Sequence, residues 1–170
     1  MLNTQFFDSS EDKCWELFQK FNKKKLHLSD VGRMQQYFDF DASGITSVGD
    51  KVGIELKKRN LVLLSGESLS VSGESRNGAF SAPSIFLEEV KLAELAVANW
   101  SQGFIPLYVN FLDNCVVVFN LLKMRHIGDE RTRVQSKGYQ NFELAKRFTL
   151  PLTDAWIYDV NNYTLIHKPQ

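Results

Sequence analysis

The sequence predicts a mixed α/β chain of the α+β kind, a central mixed sheet flanked by helices. Three observations predict it. Cys14, Trp15, Phe18 and Phe21 recur at helical spacing, and so do Val90, Leu92, Leu95, Ala96 and Asn99. Between these segments lie short strand-like runs punctuated by Gly, Ser and Asp. After the second helical segment come two apolar runs, Phe104–Phe111 and Cys115–Leu121, separated by the turn residues Asp113 and Asn114.

The first helix is expected from Glu11, capped by Ser9 or Ser10, with Asp12 in the capping-box place. Lys23, Lys24 and Lys25 would close it, where cations complement the negative helix pole. Gln35–Asp41 reads as a strand, residues 44–50 as a turn, and Lys51–Lys58 as the returning strand, extended by Leu61–Leu64. Ser65–Ser81 is rich in Ser and Gly and reads as a long loop, or a weak hairpin through Ser68–Ser72. Ser84–Leu87 is a short strand. Glu88–Ser101 is the second helix, stopped by Gly103. The tail beyond Lys123 reads as irregular until a last hairpin, Ala155–Asp159 with Tyr163–His167, around Asn161 and Asn162.

A chain of 170 residues is expected to form one domain, 1–170, with a core over about residues 10–121 and residues 122–170 packed on it as a C-terminal extension. The apolar fraction of 44% and charged fraction of 24% are those of ordinary folded proteins. Twenty basic and twenty acidic residues cancel, so net charge announces neither nucleic acid nor membrane. Cys14 and Cys115 lie far apart and read as reduced core residues. The N-terminus lacks the basic and apolar regions of a signal peptide, and no run is long enough to cross a bilayer. A soluble cytoplasmic protein is the expectation.

The chemistry concentrates in "FDASGITSVGDKVGIELKKRN", Phe40–Asn60. Side chains alternate along a strand, so Glu55 and Lys57 share one face and Ile54 and Leu56 the other. A turn centred near Val48 sets Asp41 opposite Glu55 and Asp39 opposite Lys57. Carboxylates and an ammonium would then converge on one side of a sheet. Asp and Glu oxygens, waters and a substrate phosphate make a Mg²⁺ site. An exposed cross-strand ion pair, worth roughly 0.2–1 kcal/mol, would give the same E-x-K pattern. The apolar flanks and the second carboxylate favour the metal reading.

This stretch resembles the D-(x)n-E-x-K core of the PD-(D/E)XK, restriction-endonuclease-like nucleases. Asp41 fits the first acid and Glu55-Leu56-Lys57 the E-x-K, although Phe40 stands where the proline of the name would be. Over roughly residues 10–121 the element order also fits the family's α-β-β-β-α-β. The resemblance implies a Mg²⁺- or Mn²⁺-dependent endonuclease that cleaves phosphodiester bonds, usually of DNA, with a metal-activated water. It makes Asp41 and Glu55 metal ligands, Lys57 the catalytic lysine and the Leu56 carbonyl a further ligand. It also implies a glutamate from the first helix, Glu11 or else Glu16, with Asp39 as an additional or alternative acid. Glu88 and Lys91, one turn apart, could face the site or form a surface ion pair.

Lys58, Arg59 and Lys91 are candidate nucleic-acid contacts, with Lys23–Lys25, Lys123, Arg125, Arg131, Arg133 and Lys137 as further basic clusters. Cutting both strands of a duplex commonly needs two sites, which points to a homodimer. His27, His126 and His167 are scattered and read as structural, and no phosphate-binding loop motif occurs. The rival reading is a catalytically inactive nuclease-fold module that binds nucleic acid or a protein partner.

Overall fold

A seven-stranded mixed sheet organises the chain, with two three-stranded antiparallel sheets beside it. The computed structural model describes residues 4–34, 40–75, 78–125, 127–135 and 142–170. Helix α1 (Thr4–Phe21) leads into a π-helical turn, Asn22–Leu26, which carries the three lysines and ends at His27 in the left-handed region. Strands β1 (Ser29–Arg33), β2 (Ala42–Ile45) and β3 (Lys51–Lys58) form an antiparallel meander. Then come β4 (Leu61–Ser65), β5 (Leu69–Ser75), β6 (Gly78–Ala82) and β7 (Ser84–Glu88). Helix α2 (Glu89–Gln102) crosses to β8 (Ile105–Phe111), which pairs parallel with β3. The chain finishes with β9 (Cys115–Asn120), β10 (Gly128–Gln135), β11 (Phe142–Pro151), β12 (Trp156–Asp159) and β13 (Leu165–His167).

The large sheet runs β1-β2-β3-β8-β9-β12-β13, so β3 is interior. Its middle, Val52–Leu56, is buried on both faces. One face, Val52, Ile54 and Leu56, packs with Cys14, Phe18 and Phe21 of α1. The other carries Gly53, over which the Phe40 ring lies, and Phe40 in turn packs on Leu95 and Ala98 of α2. A crossover helix is what a parallel pair requires, and Gly103, at φ 72°, ends it without the penalty a side chain would bring. The outward side of α2 is apolar, with Val90, Val97 and Trp100 exposed.

Several expectations change. Helix α1 begins at Thr4, so Ser9 and Ser10 lie inside it rather than capping it. The strand expected at Gln35–Asp41 falls largely on residues 35–39, outside the described residues; the paired strand is Ala42–Ile45, and Gly44 and Ile45 belong to it rather than to the turn. Leu61–Leu64 does not prolong β3, because it pairs with β5 in a separate sheet. Ser65–Ser81 is no long loop: β5 and β6 complete that sheet, with Val71 buried beneath it. In the tail, residues 128–135 and 142–151 are not irregular, since β10 pairs with β11 and β11 with β7. The expected last hairpin is present as β12 with β13, and β12 also pairs with β9 in the main sheet. Leu150, Leu152 and Ile157 share one core cluster with Leu63, Leu87 and Tyr108. Both cysteines are buried and unbridged. Among the described residues no helix is long and apolar enough to cross a membrane.

Candidate functional site

Strand β3 puts a carboxylate where its neighbours are apolar. Glu55 is 1% exposed, held between β2 and β8 and facing α2. Lys57 reaches its Oε1 at 3.7 Å, and Lys91 of α2 reaches its Oε2 at the same distance. Both separations are too long for a direct hydrogen bond. Among the described residues Glu55 Oε2 has no hydrogen-bond partner. Burial, then the Asp41 charge, push the Glu55 carboxyl up to about 7, against the opposing pull of Lys91 and Lys57.

Asp41 sits just ahead of β2. The pairing of β2 with β3 stops one residue after it, at Ala42↔Ile54, so the ladder does not extend to Asp41 and Glu55. The strand is irregular here: Phe40 packs toward α2 while Ala42 packs toward α1, and a regular strand would put both on one face. At that kink Asp41 N–H donates to Ile54 O, and Asp41 Oδ2 accepts the Leu56 N–H at 2.8 Å. The bond fixes the carboxylate at the β3 edge while engaging one of its oxygens.

Helix α1 covers the opposite face of β3 from Glu55. The Cys14 thiol, pushed up to about 12 by burial, also feels Asp41, Lys57 and Glu55. It is no nucleophile. Glu11, one turn earlier, is exposed, and so is Glu16. Asp39 lies outside the described residues.

Lys91 faces the carboxylates rather than solvent. It ion-pairs with Glu94 at 3.1 Å as well as with Glu55. Its burial disfavours charge, but Glu55 and Glu94 outweigh that and raise its pKa. Glu88 is exposed at the end of β7, and the pair that Lys91 makes on its own helix is with Glu94. Arg59 is a clamp: it donates to Asn110 Oδ1 at 2.9 Å, Tyr108 Oη at 2.7 Å and Phe86 O at 2.8 Å. Lys58 lies 3.7 Å from Asp113. Lys23–Lys25, Lys123 and Arg125 are exposed, whereas the side chains of Arg131 and Arg133, and all of Lys137 and His126, lie outside the described residues.

Glu94 and the Tyr108–Asn110 pair were not singled out from sequence. A polar signal was there, since Asn110 interrupts the apolar run Ile105–Phe111 and is fully buried. Among the described residues no three His, Cys, Asp or Glu side chains converge tightly enough to hold a metal ion by themselves. Comparison with protein-family models, curated proteins and solved structures gives no match for the chain.

Proposed function

We propose that the chain is a divalent-metal-dependent nuclease of the restriction-endonuclease-like kind, hydrolysing phosphodiester bonds in DNA. The observation that carries this reading is Glu55, a fully buried carboxylate whose Oε2 is unbonded among the described residues, beside Lys57 and within the field of Asp41. Desolvating an ion costs several kcal/mol, so a buried carboxylate with an oxygen left unbonded is a candidate functional position. The element order supports the reading too: α1, β1, β2, β3, α2 and β8 follow α-β-β-β-α-β, with β4–β7 inserted before α2.

The donor set suits Mg²⁺ or Mn²⁺. Mg²⁺ takes one or two carboxylates and completes its shell with waters and substrate phosphate, so a third protein acid is not required. Asp41 and Glu55 would hold it, with the Leu56 carbonyl that the family resemblance implies. When bound, the ion supplies Lewis acidity at the phosphate and a more acidic water. Lys57 is placed to orient an attacking water or to neutralise charge that develops on the phosphate. Glu11 is exposed on α1, across the sheet from Glu55, so a ligand role for it has no support in the packing. A duplex cut on both strands needs two copies of the site, so the reading carries a homodimer with it.

One observation favours the non-catalytic alternative: Lys91 bridges Glu55 and Glu94 and so provides positive charge where the ion would sit. Cleavage decides between the two. Wild type and Glu55→Ala are incubated with supercoiled plasmid, a DNA junction and single-stranded DNA in Mg²⁺ or Mn²⁺, with an EDTA control. The nuclease reading expects metal-dependent cutting that the variant loses while its circular dichroism stays native. Cutting by the variant at the wild-type rate rejects the site. No cutting by wild type, with no heat of metal binding, leaves the inactive module.

A further inference from the structure

Past the end of β3 the surface opens into a half-open cleft of about 560 Å³, within the range of small-ligand sites. It lies between the β4–β5–β6 sheet and the β7–β11 pair. Lys58, Arg59 and Arg147 line it against one acid, Glu74. Two of its walls are aromatic, Phe80 and Phe86, and the Arg147 guanidinium lies over the Phe86 ring at 5.4 Å.

Cationic side chains interleaved with aromatic faces are what an unpaired nucleotide needs: a stacking surface for the base and positive charge for the phosphate. A paired base has both faces covered and offers no such surface. The cleft is also in line with the candidate site. Arg59, in its wall, bonds to Tyr108, and Tyr108 stands beside Glu55 in the parallel register. From Glu55 to Arg59 the strand rises about 13 Å. A nucleic-acid strand covers that distance in about four nucleotides at the duplex rise of 3.4 Å, and in fewer when stretched.

We propose that this cleft binds an unpaired nucleotide of a single-stranded DNA segment, a few nucleotides from the phosphate held at Glu55. The base lies against Phe80, and the backbone phosphate meets Lys58 and Arg147. The inference rests on the nuclease reading for the class of ligand, and it narrows the substrate to DNA that is single-stranded beside the cut.

The test is fluorescence anisotropy in EDTA with a fluorescein-labelled oligothymidine and a duplex of equal length. Wild type binds the single strand more tightly than the duplex. Phe80→Ala weakens single-strand binding by about tenfold, the loss of one stacked base. Arg147→Gln weakens it as well, and serves if Phe80→Ala does not fold. Equal affinity for the two probes, or variants that bind as wild type does, overturns the proposal. Binding is read without metal, so the two readings fail separately. A protein that binds single strands through the cleft but cuts nothing overturns the nuclease reading alone. One that cuts duplex and ignores single strands overturns the cleft alone.

Discussion

A proton on Glu55 would occupy the oxygens that the proposed metal ion needs. Its carboxyl is raised from 4.5 to about 7, by burial first and by Asp41 second. A raised acid favours the folded state most when protonated, so its contribution is complete below the ordinary value. It is then lost as pH climbs through about 7. The swing is on the order of 3 kcal/mol. Glu55→Gln keeps the neutral shape at every pH. Melting curves from pH 5 to 8 should therefore show the variant gaining on wild type as pH rises; parallel curves would show that Glu55 is not desolvated. The Glu55–Lys57 pair was legible in the sequence because two residues of one strand fix their own relative face. Lys91 and Glu94 were not placed beside it, because their approach depends on how α2 lies across the sheet. Arg59, a candidate phosphate contact, is bonded to Asn110 and Tyr108, partners far along the chain that composition does not reveal.

The strands show where periodicity informs and where it fails. Strand β3 was legible to its last residue because both faces are buried and the run is apolar between lysines. Strands β5 and β6 were hidden because their small sheet buries Val71 and leaves much of the rest to Ser and Gly, which carry no apolar period. The β10–β11 hairpin was hidden by charge, since "GDERTRVQ" alternates nothing apolar. Between β2 and β3 the decisive contact is a missing side chain. A Cβ on Gly53 would meet the Phe40 ring at 3.1 Å. Phe40 neighbours Asp41, so Gly53→Ala pushes on the segment that presents the carboxylate to Leu56. Overpacking of this kind costs about 1–3 kcal/mol. Denaturant unfolding should show that loss, and cleavage should fall further than the loss of folded protein accounts for. A variant with native stability and native cleavage would mean that Phe40 does not hold Asp41 in place.

At the scale of the whole molecule, the mixed sheet flanked by helices was legible, since one helical period precedes the strands and the other falls between strand runs. The membership of the sheet was not, because β12 and β13 join it from the far end of the chain. The parallel pairing of β3 with β8 has a further consequence, in the order of assembly. Val52 pairs with Ile105, so about 50 residues must be looped out before the two strands meet. Closing such a loop costs on the order of 3 kcal/mol in chain entropy, and contacts this distant in sequence form slowly. Glu55 stays hydrated until β8 arrives, and it must shed water at that same step. In stopped-flow refolding at pH 8, Glu55→Gln should fold faster than wild type, and below the ordinary carboxyl value of 4.5 the two should fold alike. A difference confined to the unfolding rate would place the dehydration after the barrier. On this account the proposed metal ligand would also be a brake on folding, released by a single proton.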